Sequence, residues 1–137
     1  MDKLSQRERS ENMRRIRSRD MKPELIVRSL VHRLGYRFRL HRKDLPGKPD
    51  LVFASRKKVI FVHGCFWHQH GGGCIDSKLP KTNAAYWHPK LMRNVERDAA
   101  SIRALRSAKW RSLVIWECET KDEARVARKI ERFLEAK

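Results

Sequence analysis

Apolar residues at Ile26, Val27, Leu30, Val31 and Leu34 recur at helical spacing, and the flanking Pro23 and Gly35 suit the first turn and the stop of a helix. Tyr36, Phe38 and Leu40 then alternate with Arg37 and Arg39, the period of a half-buried strand. A turn at Leu45-Pro46-Gly47-Lys48-Pro49 leads into Asp50-Leu51-Val52-Phe53, a short strand that opens on a carboxylate. After a basic turn at Arg56 to Lys58, the run Val59 to Val62 predicts a third strand. Residues 75–89, with Pro80 and Pro89, read as a loop carrying Tyr86, Trp87 and His88. Beyond Pro89, the residues Leu91, Val95, Ala99, Ile102 and Leu105 define the apolar side of a long helix, with Lys90, Arg93, Arg97 and Arg103 on its other faces. Leu113 to Trp116 predicts a buried strand. Thr120 and Glu123 have capping-box spacing ahead of a last helix, whose packing stripe is Ala127, Ile130 and Phe133 or Leu134. The order helix, strand, strand, strand, helix, strand, helix implies an α/β fold, a mixed sheet with helices on its faces.

At 137 residues the chain has room for one domain with its own core and no need for two. Residues 1–20 stand apart as a basic N-terminal arm, because Arg7, Arg9, Arg14, Arg15, Arg17 and Arg19 are relieved only by Leu4, Met13 and Ile16; residues 21–137 form the domain. A solvated surface helix is the plainer reading of the arm. Lys and Arg total 33 against 16 Asp and Glu, a net charge of +17, which points to a polyanionic partner, nucleic acid ahead of a membrane surface. The apolar runs fall far short of the roughly 20 residues of a spanning helix. The charged N-terminus does not resemble a secretory signal, so the expected compartment is the cytoplasm. Three cysteines cannot all pair within one chain, and in a reducing compartment they are thiols or metal ligands.

Candidate chemistry concentrates where the third strand ends. Cys65, His70 and Cys74 have a C-x4-H-x3-C spacing, and Cys118 follows directly after the fourth strand, where pairing with the third would bring it alongside. Three thiolates and one imidazole make a closed structural zinc site, with His68 able to take the place of His70 and buried free thiols as the plainer reading. The glycine run Gly71 to Gly73 would let the backbone curl around the ion. Asp50 offers a hard oxygen ligand for Mg²⁺, and His63 and His68 are imidazoles, the side chain whose unperturbed pKa lies close to neutrality and suits accepting a proton from water attacking a phosphate. Taken singly, each is more often a turn residue or a satisfied polar side chain; their coincidence beside a basic groove is what suggests phosphodiester hydrolysis. Phe66, Trp67 and Trp87 either fill the core or wedge between base pairs of a distorted duplex.

Four blocks in this order, Gly47-Lys48-Pro49-Asp50, Val59 through His68, Asn94 through Asp98 and Ile115 through Cys118, resemble the very short patch repair endonucleases, and the similarity runs from about Ser10 to Cys118. The resemblance implies a restriction-endonuclease-like fold. It implies a Mg²⁺-dependent nick on the 5′ side of the thymine in a T·G mismatch, the lesion left by deamination of 5-methylcytosine. By residue, it implies Asp50 as metal ligand, His68 as general base, and His63 and Glu24 as further active-site groups. Val62 stands where some members carry threonine, at a position that serves the metal through its backbone carbonyl. Cys65, His70, Cys74 and Cys118 match the zinc ligands. Phe66, Trp67 and Trp87 match the intercalating aromatics, Met13 an apolar wedge on the arm, and Lys90 and Asn94 positions near the mispaired bases. The implied partner is double-stranded DNA with a T·G mismatch, met by a monomer in a bacterial cytoplasm at the nucleoid, with mismatch-repair proteins and a repair polymerase as further partners. Two other readings stand beside it: a non-catalytic zinc-stapled DNA-binding module, and a restriction-like endonuclease for unmodified sites.

Overall fold

The computed structural model describes residues 22–71, 74, 78 and 83–137. Its elements come in the predicted order: α1 (Pro23–Arg33), β1 (Arg39–Leu40), β2 (Leu51–Phe53), β3 (Lys58–His63), α2 (Ala84–Ser107), β4 (Arg111–Trp116) and α3 (Glu123–Glu135). The strands form one sheet in the order β1-β2-β3-β4. β1 with β2 and β2 with β3 are antiparallel; β3 and β4 are parallel, with α2 in the crossover that a parallel pair requires. The predicted mixed sheet with helices on its faces is therefore present. The arm over residues 1–20, with Met13, lies outside the described residues.

Both faces of the sheet are covered, which is why β2 and β3 read as unbroken apolar runs. Leu51, Phe53, Ile60 and Ile115 point to one face and pack with Val27, Leu30 and Val31 of α1 and Val126, Ile130 and Leu134 of α3. Val52, Val59 and Phe61 point to the other, where Leu105 and Ile102 of α2 cover them. The alternation carries the chemistry with it. Asp50 precedes Val52 by two residues and His63 follows Phe61 by two, so the pleat turns both toward α2. Gly47 (φ 76) lets α2 come close there, since a Cβ in its place would lie 2.8 Å from the Ser101 Cβ. Among the described residues no helix is long and apolar enough to cross a membrane.

Five local expectations are corrected. The strand expected over Tyr36 to Leu40 shrinks to Arg39–Leu40, because the Tyr36 N–H still bonds the Val31 carbonyl at the end of α1 and only two residues find partners on the short β2. Leu40, expected to be buried, is exposed on this edge. Helix α2 starts at Ala84, not after Pro89, so Tyr86, Trp87 and His88 are helical. The Asn83 carbonyl accepts from the Tyr86 and Trp87 N–H groups at 3.0 and 3.1 Å, and packing of Trp87 on Phe66 and Trp67 offsets the helical hydrogen bond that Pro89 cannot make. Asp122, not Thr120, caps α3, its Oδ1 accepting from the Arg125 N–H at 3.2 Å, while Thr120 donates to the Glu117 carbonyl within a short 3₁₀ turn. Lys58, read as part of a basic turn, is the first residue of β3; it is buried, and its ammonium donates to the carbonyls of Phe133, Leu134 and Ala136 at the C-terminus of α3.

Candidate active site

The backbone leaves β3 at His63 and immediately makes a helical turn. His68 N–H bonds the Gly64 carbonyl at 3.1 Å and His70 N–H the Cys65 carbonyl at 2.9 Å, with Gln69 in the left-handed region (φ 50) closing the curl. The tight bend is thus made by residues 64–70 ahead of the glycine run, of which Gly72 and Gly73 lie outside the described residues. One consequence is that Cys65 and His70 face one another. The parallel register, His63 opposite Trp116, then sets Cys118 beside them, its N–H donating to Cys65 Sγ at 3.4 Å. Cys74 completes the group: one donor atom from each of Cys65, His70, Cys74 and Cys118 lies within 4.8 Å of the others. His70 Nδ1 stands 3.6 Å from Cys65 Sγ and 3.4 Å from Cys118 Sγ. Ligands at about 2.0 to 2.3 Å from a tetrahedral ion are separated by about 3.5 Å, so the four fit such an ion. Burial pushes the Cys65 thiol up to about 12 and raises that of Cys118, so a cation is what would make both sulfurs thiolates at neutral pH.

The same turn sends His68 in the other direction, which separates it from His70. His68 Nδ1 lies 2.6 Å from Asp98 Oδ2 on α2, and its ring stacks on His63 with centroids 3.9 Å apart and planes 5° from parallel. A carboxylate on Nδ1 keeps the proton there and leaves Nε2 as an acceptor. His63 is buried, and its Nδ1 has no hydrogen-bond partner among the described residues. Burial, with the neighbouring His68 adding to it and Asp98 opposing, pushes its pKa down to about 4, so the ring is neutral at neutral pH. Both imidazoles line a cavity of about 150 Å³ together with Lys48, Asp50, Val62 and Asp98.

Across that cavity Asp50 accepts the Val62 N–H on Oδ2 at 2.6 Å. Burial raises its pKa to about 6; the Val62 bond opposes this and the adjacent Glu24 carboxyl reinforces it. Glu24 comes from the first turn of α1, and its Oε1 is 3.2 Å from His41 Nε2. Asp50, His63, His68 and Glu24 are therefore gathered at one end of the strands. Two neighbours were missed. Asp98 follows Asn94 by one helical turn, and that spacing signalled a shared face toward the Phe66-Trp67-His68 block. For His41 the only signal was strand register, which the sequence does not display.

Phe66, Trp67 and Trp87 meet edge to face, with centroids 5.2, 5.5 and 5.6 Å apart. Trp67 is 52% exposed and the adjoining Tyr86 56%, while Phe66 and Trp87 are half-buried, so the cluster sits at the surface rather than in the core. Asn94 donates to the Trp67 carbonyl at 3.0 Å, and the Lys90 ammonium lies 4.2 Å above the Tyr86 ring centroid while donating to its hydroxyl at 2.6 Å.

A family model described as DNA mismatch endonuclease Vsr matches residues 1–74. The chain is 48% identical over 134 residues to the type II nicking enzyme V.XorIIP of Xanthomonas oryzae pv. oryzae, covering 98% of this chain and 97% of that protein. It is 37% identical over 126 residues to the type II nicking enzyme V.NmeAIP of Neisseria meningitidis, covering 92% and 89%. With the DNA mismatch endonuclease Vsr of Escherichia coli it shares 44% identity over 110 residues, 80% of this chain and 69% of the other.

Proposed function

The chain belongs to the Vsr family of DNA mismatch endonucleases, and on that premise we propose that it nicks one strand of duplex DNA on the 5′ side of the thymine in a T·G mismatch. The fold is then restriction-endonuclease-like, the enzyme a monomeric hydrolase, and the setting the bacterial cytoplasm, where the nick hands the strand to repair proteins and a polymerase. Asp50 and the Val62 carbonyl would hold Mg²⁺, with Glu24 beside them; the ion supplies Lewis-acid polarisation of the phosphate when bound. His68 Nε2 accepts the proton of the attacking water. Asp98 orients the ring through Nδ1 and stabilises the imidazolium that results. His63, neutral and buried, keeps the His68 ring flat against it and adds no charge to the pocket.

Mismatch selection follows from the aromatic cluster, in which Trp67 is exposed and Phe66 and Trp87 are half-buried. Phe66, Trp67 and Trp87 wedge into the stack, with Met13 of the arm as a further apolar wedge, and a mismatched step yields at lower deformation energy than a paired one. Lys90 and Asn94 lie at the margin of that cluster, near the mispaired bases. Zinc on Cys65, His70, Cys74 and Cys118 staples the turn that carries Phe66, Trp67 and His68 to the end of β4. The observation that carries the reading is the 2.6 Å His68–Asp98 pair lining the same cavity as Asp50. A binding module has no use for that arrangement, and the relatives named as nicking enzymes favour single-strand cleavage over a restriction-like double cut.

The test is catalytic. Asp50→Ala and His68→Ala should each lower the nicking rate on a mismatched duplex by at least about two orders of magnitude while DNA affinity stays within a few fold, as general-base and metal-ligand losses do. Full nicking by either purified variant would remove that residue from the mechanism.

A further inference from the structure

Apart from the His63–His68–Asp98 group, ligand atoms converge at the open edge of the sheet. Glu24 from the first turn of α1, His41 just after β1 and Asp50 just before β2 each bring one atom within 4.8 Å of the other two. The ladder places them: Leu40 pairs with Leu51, and one step further the His41 N–H donates to the Asp50 carbonyl at 3.3 Å. His41 holds a left-handed backbone there (φ 50), a conformation uncommon outside glycine that histidine adopts more readily than most. Its Nε2 is 3.2 Å from Glu24 Oε1, whereas the other Glu24 oxygen faces Arg28 at 3.7 Å. Two carboxyl groups and an imidazole thus surround one point in a chain of net charge +17.

Neighbouring ligands on an octahedral ion at about 2.1 Å are about 3 Å apart, close to the His41–Glu24 spacing. Two carboxylates alone suit Mg²⁺, which takes oxygen ligands and keeps its water. An imidazole nitrogen changes the preference, because Mg²⁺ gains little from it, whereas Mn²⁺, though an oxygen-loving ion and the weakest nitrogen binder of the first-row series, binds it better than Mg²⁺ does. We infer that His41 supplies a nitrogen ligand to the divalent ion held at Asp50, completing an Asp–Glu–His set that binds Mn²⁺ in preference to Mg²⁺. The assignment rests on the reading that Asp50 holds the catalytic ion, and it adds both a residue and a metal preference to it.

The experiment uses the full chain with its zinc in place and no DNA, titrated with MnCl₂ while free Mn²⁺ is followed by electron paramagnetic resonance, with MgCl₂ as competitor. Bound Mn²⁺ is then examined by electron spin-echo envelope modulation for coupling to a ligand nitrogen. The native chain should bind Mn²⁺ at least about tenfold more tightly than Mg²⁺ and show that coupling. His41→Asn, chosen because asparagine tolerates a left-handed backbone, should weaken Mn²⁺ binding about tenfold or more, abolish the coupling and leave Mg²⁺ affinity within about twofold. Nitrogen coupling that survives in His41→Asn, or equal affinity of the native chain for the two ions, overturns the inference. Asp50→Asn separates the two failures. Binding lost there but unchanged in His41→Asn removes only His41, whereas binding unchanged in both removes Asp50 as the ligand.

Discussion

His63 and Asp50 sit in one cavity and are pushed in opposite directions by the same burial. The His63 ring titrates near 6.5 when unfolded and about 4 in the fold, so the folded chain binds fewer protons there; its stabilising contribution is full above 6.5 and is lost as the pH falls through that window. Asp50 rises from 3.8 to about 6, so its contribution is full below 3.8 and is lost as the pH rises through about 6. The two offset one another. Asp50→Asn removes the second alone: with zinc bound and Mg²⁺ withheld, the variant should be more stable than the parent at pH 7, and the gain should shrink as the pH drops to 5. Urea melts at both values check this, and a parent as stable as the variant at pH 7 would contradict the burial argument. That these two residues share a face was legible in the sequence, because strand alternation from Val52 and Phe61 settles it. Asp98 and His41 were not assigned, since one depends on how α2 crosses the sheet and the other on a register invisible without its partner strand.

At the scale of elements, long periodic segments were readable and their ends were not. The expected apolar stripe of α1 includes the buried Val27, Leu30 and Val31, and that of α3 the buried Ile130 and Leu134, whereas the buried Val126 stands where Ala127 was expected. Capping at α3 went to Asp122 because the chain first makes the 3₁₀ turn Glu117–Lys121, which uses the Thr120 hydroxyl and shifts the helix start by two residues. Asp122→Ala should therefore lower stability by about 1 kcal/mol in thermal or denaturant unfolding, the usual worth of an N-cap. A loss within error would mean that water serves the Arg125 N–H equally well. The early start of α2 escaped notice for a comparable reason. A proline normally bounds a helix, but here the aromatics of the preceding turn are anchored on Phe66 and Trp67, and tertiary packing outweighs the local preference.

Across the whole molecule, charge is spent on two jobs. Arg56 and Lys58 cap the C-terminus of α3 at the edge of the sheet away from the cavity, where they satisfy carbonyls. The net charge of +17, to which the arginine-rich residues 1–20 contribute, favours a duplex. The Cys65–His70–Cys74–Cys118 cluster joins the ends of β3 and β4, so a metal held there would tie down the turn that carries Phe66, Trp67 and the proposed base. Cys118→Ser should lower zinc content, measured by atomic emission, together with melting temperature and nicking rate. Unchanged zinc content would count against that ligand set. The central claim is tested most directly by strand cleavage of a labelled duplex holding one T·G mismatch in candidate cytosine-methylation contexts, with Mg²⁺ present or omitted, beside its fully paired control. A Mg²⁺-dependent nick 5′ to the mispaired thymine and absent from the control is the predicted result. Equal cutting of both duplexes, or tight binding without cutting in any context, would contradict it.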